Sequence, residues 1–345
     1  MLKRREPGQP SIQEFADQVQ EEIKTSIKKE ENDFHFDKVV STGSTLLDLA
    51  ISGGRRKGGG IPGGLIMEIF GPPGSGKTAI LAEIGASAQS RGGQCMFLDP
   101  EARLDQEYAR IYGIKLDAKD YHRPDTVTQV FEKIYSWNPK EEGINVIATD
   151  SLAALSTELE LEKGDKMGMR RAKEFSEGLR KTARIISNSG WIIACSNQVR
   201  DGEYGETTPG GQAIPFYSSI RIRVSSVGKI EKKKMVNGKE VKKIIGIESK
   251  CFIRKSTVDD PFRECSLSIV FGYGVDTIRD ELQYIKTMTG ATTYVCPDGK
   301  SYVSLDRAID YVEENSLQEQ LKTSVIDLWE EIEKHFALKR PTKVR

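Results

Sequence analysis

Little in this sequence marks a secreted, membrane-spanning or metal-dependent protein. The five cysteines are scattered, with no CxxC pair. Cys95 and Cys195 sit inside apolar runs, which reads as reduced, buried thiols. The three histidines, His35, His122 and His335, are far apart in sequence, a distribution expected of chance surface residues rather than a metal site. There is no signal peptide and no long apolar span, so a soluble, cytoplasmic protein with no membrane role is expected. Net charge is also missing: 51 basic residues balance 51 acidic ones. Overall charge therefore says nothing for or against nucleic acid, and any DNA surface has to be a local patch. No internal repeat is present. What remains is 345 residues, 37% hydrophobic and 30% charged, enough for one large domain with appendages or for two domains.

Three regions are expected. Residues 1–37 hold a polar start and then a helix, "SIQEFADQVQEEIKTSIKKE". Ser11 and Glu14 form a capping box, and Phe15, Val19, Ile23 and Ile27 make a narrow apolar stripe suited to docking on the core or on a neighbouring subunit. Residues 38–278 alternate strands and helices. Strands are predicted at "LIMEIFG" (65–71), "CMFLD" (95–99), "NVIATDS" (145–151) and "WIIACSN" (191–197), and helices at 77–90 and 169–188. That alternation predicts an α/β fold with a mostly parallel central sheet covered on both faces. A β meander follows from about residue 219, with a hairpin turn at Asn237-Gly238 between lysine-rich arms. Residues 279–345 read as a small α+β region ending in a helix (317–336) and a basic tail, "ALKRPTKVR".

"GPPGSGKT" (71–78) has the GxxxxGK[ST] pattern of a phosphate-binding loop, with a strand before it and a helix after it. Backbone amides from Gly71, Pro72, Pro73, Gly74, Ser75 and Gly76 onward surround phosphates at the helix start, proline lacking only the donor. Lys77 adds charge at the β/γ-phosphates, and Thr78 offers a hydroxyl to Mg²⁺. Asp150, ending an apolar strand, suits a carboxylate that reaches the same metal through water. In "FLDPEARLD" (97–105), Glu101 is the best placed of three carboxylates to orient or deprotonate a water, since strand C-termini converge on the ligand crevice.

Together these pieces resemble the bacterial-type RecA recombinase family. The resemblance is carried by "STGSTLLDLAISGG", "MEIFGPPGSGKT", "FLDPEARLDQEYARIYGI", "VIATDSLAAL", "GDKMGMRRAKEFSEGLRK", "NQVR" and "ETTPGGQAIPFYSSIRI", over roughly residues 38–278. It implies a RecA-like ATPase core using ATP and Mg²⁺. It also implies a homo-oligomeric helical filament on single-stranded DNA that pairs with homologous double-stranded DNA in recombination and repair. By the same resemblance Glu101 is the catalytic base, and Asn197 and Gln198 lie where the family senses the γ-phosphate. Asp105, Tyr108 and Phe271 match positions at the adenine, and Phe216 matches a subunit-contact aromatic. Lys250, Arg254 and Lys255 are all candidates for reaching a neighbouring subunit's phosphates. The first DNA-binding loop corresponds to residues 162–171, with Lys166, Met167, Gly168, Arg170 and Arg171. The second corresponds to "RDGEYGETTPGG", with Arg200, Tyr204, Thr207, Thr208, Gly210 and Gly211.

"SNQVRDGEYGETTPGG" (196–211) thus reads as a loop whose order is controlled from its root at Gln198, not as a slack connection. It is shorter than is usual in the family, and the chain ends basic where many members end acidic. These departures leave an alternative open, a RecA-like filament-forming regulatory protein without strand exchange. A small-molecule kinase would need a lid and an acceptor site, and neither signature is present.

Overall fold

The computed structural model describes residues 38–139, 142–157, 160, 168–202, 205–337 and 340. The helix expected at 11–30, and Lys166, Met167 and Tyr204, lie outside them, as do most residues of the basic tail.

Among the described residues, nine strands form one sheet. In chain order they are β1 (Leu65–Gly71), β2 (Cys95–Leu98), β3 (Tyr121–His122), β4 (Val146–Thr149), β5 (Ile192–Gln198), β6 (Ile220–Val236), β7 (Lys239–Ser256), β8 (Glu264–Val270) and β9 (Gly274–Val275). Their spatial order is β9-β8-β7-β6-β1-β5-β4-β2-β3. From β6 through β3 all neighbours are parallel. From β6 to β9 the strands run as an antiparallel meander. β1 is buried at every position, as a central strand covered on both faces must be.

One face is covered by α4 (Val127–Ser136) and α5 (Gly168–Ser189), the fourth and fifth of nine described α-helices. Val127, Val130, Phe131 and Ile134 recur at helical spacing and meet Ile66, Leu98, Ile147 and Ile193 from the strands. The helix after the phosphate-binding loop, α2 (Lys77–Ser90), packs on the other face through Ile80, Leu81 and Ile84. The hairpin between β6 and β7 closes in two residues, Asn237 (φ 51°) and Gly238 (φ 75°). Both are left-handed, as a twist-matched two-residue turn requires.

The boundary expected after residue 278 falls in the first turn of α7 (Thr277–Thr289). That helix, with α8 (Leu305–Glu314) and α9 (Gln318–Phe336), builds a satellite core from Ile278, Leu282, Ala308, Ile309, Val312 and Leu321. Val325 and Ile326 of α9 also pack on Leu46 and Leu49 of α1 (Thr45–Ser52), so the C-terminal region is tied to the sheet through α1.

Candidate nucleotide and DNA sites

The C-terminal ends of β1, β4 and β5 meet at a cleft of about 440 Å³ lined by Gly74, Gly76, Lys77, Thr78, Glu101, Asp150 and Gln198. Gly76 caps α2 at φ 94°, and a Cβ there would lie 2.3 Å from Ile269; only glycine fits the turn. Ser75 is buried, its hydroxyl donating to the Pro72 carbonyl at 2.9 Å. Lys77 Nζ donates to the carbonyls of Gly71 (3.0 Å) and Pro72 (2.8 Å). Burial holds this ammonium below its usual range, while the Asp150 and Glu101 carboxylates pull it back up. An anion arriving at the loop would favour the charged lysine further.

Thr78 Oγ1 donates to Asp150 Oδ2 at 2.6 Å, and the Ser196 hydroxyl donates to the other carboxylate oxygen. This cluster of hydroxyl and carboxylate oxygens at the start of α2 is the hard donor set that suits Mg²⁺. Glu101 lies between Gln198, whose Nε2 donates to it at 3.3 Å, and the Arg103 guanidinium, with which it forms an ion pair. Tyr108 and Phe271 line the same cleft, 44% and 58% exposed. Asp105 does not line it. Its carboxylate accepts from Tyr108 N at 2.7 Å and caps the short helix α3 (Gln106–Ile111).

β5 ends in two residues whose side chains diverge. Gln198 turns to Glu101 in the cleft. Asn197 is fully buried and donates to Glu68 Oε1 (3.0 Å) and to the Pro209 carbonyl (2.9 Å) at the far end of the following loop. Glu68 also accepts from Arg221 Nε at 2.6 Å, so one buried carboxylate joins β1, β5 and β6. Between the two loop ends the chain forms a short hairpin, Arg200–Gly202 against Gly205–Thr207, with Arg200 opposite Thr207. Where the sequence predicted a loop with controlled order and no strand, the backbone pairs with itself. Glu206 Oε1 and Oε2 accept from Arg223 at 2.5 and 2.7 Å, and this guanidinium holds the Glu206 carboxyl below its usual range. Thr207 lines a second cleft of about 410 Å³ with Arg221, Arg223 and Arg254.

Thr208 is buried. Gly210 and Gly211 follow, packed so closely that added Cβ atoms would lie 2.4 Å from Ile214 and 2.9 Å from Ala172. The second loop therefore ends against the first turns of α5, which begins at Gly168. Arg170 there pairs with Glu174, and Arg171 with Glu160, each at 3.5 Å. The structure thus brings the described ends of both predicted DNA loops together.

The three cations proposed for a subunit contact diverge. Lys255 Nζ donates to the Pro215 and Phe216 carbonyls (2.8 and 3.1 Å), beside the Phe216 ring, which is 75% exposed. Arg254 lines the second cleft. Lys250 pairs with Glu264 at 2.7 Å, on the side facing α7 and α9. Sequence reasoning passed over Glu68, Arg103, Ser196, Glu206, Arg221 and Arg223. Glu68 had a signal: it is a lone charge inside the apolar run "LIMEIF".

A central parallel sheet whose strand ends hold a GxxxxGKT loop, a magnesium-type hydroxyl–carboxylate pair and a strand-end carboxylate defines a P-loop nucleotide-binding protein. The RecA N-terminal domain family matches residues 14–276. The chain is 37% identical over 249 residues to "Protein RecA" of Rickettsia africae, covering 70% of this chain and 68% of that protein. It is 36% identical over 296 residues to "Protein RecA" of Deinococcus radiodurans, covering 82% and 77%. The chain belongs to the RecA family. No helix among the described residues is long and apolar enough to cross a membrane.

Proposed function

We infer that this protein is a DNA-dependent ATPase that assembles with ATP into a helical filament on single-stranded DNA. It promotes homologous pairing and strand exchange in recombination and DNA repair. The carrying observation is that the nucleotide cleft and the loop at 199–211 share one root, the Asn197–Gln198 end of β5. In this reading the amides of residues 71–78 and Lys77 bind the triphosphate, with Tyr108 and Phe271 against the base. Asp105 acts by capping α3 and so placing Tyr108. Thr78 and Asp150 would hold Mg²⁺, which would supply charge neutralisation for the triphosphate.

Glu101 accepts the proton of the attacking water. Gln198, already bonded to Glu101, exchanges that contact for the γ-phosphate and so reports ATP to the loop. Arg170, Arg171 and Arg200 meet DNA phosphates together with the exposed Thr207, while the buried Thr208 and the packed Gly210 and Gly211 fix the loop's end. Phe216 and Lys255 form one face of the contact between subunits. The divergence of Lys250, Arg254 and Lys255 favours Lys255 for this role, since it alone touches the Phe216 segment. Residues 38–278 are assigned to the ATPase core and 279–345 to a small C-terminal region, whose described part packs on α1.

A strand-exchange assay tests this reading. A homologous duplex should give joint molecules with ATP and a heterologous duplex should not; equal products from both, or none from either, would refute it.

A further inference from the structure

Strands β6 and β7 continue beyond the sheet as a two-stranded ribbon. β1 accompanies β6 only over Ile220–Arg223, and β8 accompanies β7 only over Gly246–Phe252. Among the described residues, Glu231 to Ile244 pair only across the hairpin. All residues from 231 to 244 are exposed. At about 3.4 Å per residue, this arm is about 20 Å long.

Its two faces differ in charge. Directly opposed residues share a face, and successive residues alternate. One face carries Glu231, Lys233 and Met235 with Ile244, Lys242 and Glu240. Its charges are satisfied internally, by a Lys233–Glu240 pair at 3.0 Å and a Lys242–Glu231 pair. The other face carries Lys232, Lys234 and Val236 with Lys243, Val241 and Lys239. It holds four lysines and no acidic residue, and Lys232 stands directly across from Lys243. Like charges directly opposed destabilise a strand pair, a cost that a polyanion lying on this face would remove.

The polyanion's form follows from what the ribbon offers. Residues 229–246 contain no aromatic side chain, so there is no platform for the base stacking that holds single strands. A two-stranded ribbon does fit the major groove of a duplex, with its lysines toward the phosphates.

We propose that the acid-free face of this ribbon, Lys232, Lys234, Lys239 and Lys243, is a sequence-independent docking surface for the backbone of double-stranded DNA. It is distinct from the loops at 162–171 and 199–211. The proposal deepens the recombinase reading, on which it rests, by naming where the duplex partner is first held.

The test replaces all four lysines with glutamine, with a companion replacing them with arginine and a control carrying Lys233→Gln and Lys242→Gln on the opposite face. Binding to a labelled random-sequence duplex and to oligo(dT) is followed across a salt series. The glutamine variant should lose about tenfold or more in duplex affinity at low salt. The slope of log affinity against log salt should become shallower by up to about 3.6, four contacts at about 0.9 each. The arginine variant should retain wild-type behaviour, the opposite-face control should change less than the four-lysine variant, and oligo(dT) binding should hold within about twofold in all. Wild-type duplex affinity and slope in the glutamine variant would overturn the proposal. So would an equal loss in the arginine variant, or a parallel loss of oligo(dT) binding. Wild-type protein that binds neither DNA would instead remove the recombinase reading itself.

Discussion

The nucleotide cleft and the hairpin at residues 200–207 begin at the same strand end but are held by different means. In the cleft, Lys77, Asp150 and Ser196 are buried, and each is hydrogen-bonded to backbone or to a neighbouring side chain. Buried polar side chains held by hydrogen bonds are the arrangement that favours electrostatic work on a charged substrate. On the other side of β5, Glu206 and Arg223 hold the hairpin through an ion pair at 2.5–2.7 Å between partly exposed side chains. Such pairs contribute at most about 1 kcal/mol. One side is fixed by buried, hydrogen-bonded side chains. The other is held by a contact that water, salt or a phosphate can replace, and Asn197 and Gln198 join the two.

The largest effect is expected at the rigid side. Lys77→Ala removes the cation held over the phosphate loop and should abolish both ATP turnover and ATP-dependent DNA binding. Steady-state ATPase assays with and without single-stranded DNA check this, and normal DNA-stimulated turnover would dissolve the assigned cleft. Glu101→Gln keeps the shape but not the proton acceptor. Nucleotide should still bind, while turnover falls by about 10²-fold or more; a rate within about twofold of wild type would remove Glu101 as the base.

A smaller effect of opposite sign is expected at the hairpin. Glu206→Gln frees Arg223 and removes a negative charge from a surface assigned to DNA. Nucleotide-free affinity for single-stranded DNA should rise about fivefold, the equivalent of about 1 kcal/mol. An unchanged affinity by fluorescence anisotropy would mean that the ion pair restrains nothing.

The two sides also predict opposite pH trends. Behind the phosphate loop, on α2, burial pushes the Glu83 carboxyl from 4.5 up to about 7. The folded chain then binds more protons than the unfolded one between these values. This contribution is complete below about pH 4.5 and is lost as pH rises toward 7. Buried Glu281 (about 7) and Asp280 (about 6) act in the same direction. Glu206, held down by Arg223, contributes stability above its unfolded value, lost as pH falls through its folded one. In urea unfolding, Glu83→Gln should recover about 2 kcal/mol at about pH 8 relative to about pH 5. An identical pH dependence in the variant and the wild type would contradict the buried assignment.

Much of the rigid side was legible in the sequence, for physical reasons. "LIMEIFG" predicts a buried central strand and is β1 residue for residue; "KTAILAEIGASAQS" is α2. Asn237-Gly238 predicts its own turn because few other residue pairs accept two left-handed conformations. Short amphipathic helices such as α4 and α8 were missed, although Val127, Val130, Phe131 and Ile134 have the required spacing. The Glu68–Asn197–Arg221 network was not legible, because its members are 129 and 153 residues apart and only the parallel register of β1, β5 and β6 unites them. The Glu206–Arg223 pair was hidden in the same way: two exposed-looking charges meet only because the hairpin folds back over β6.

The central claim is that the end of β5 carries the state of the cleft to the loop, and Gln198→Ala tests it most directly. The measurement is single-stranded DNA affinity with a non-hydrolysable ATP analogue and with ADP, in the variant and the wild type, alongside affinity for the analogue itself. The variant should bind the analogue within about threefold of wild type, since the phosphate loop and Lys77 are untouched. The gain in DNA affinity on replacing ADP by the analogue should disappear, because nothing then ties the root of the hairpin to the γ-phosphate. A variant that keeps the full wild-type gain would contradict the account, leaving the cleft and the loop as neighbours without a link.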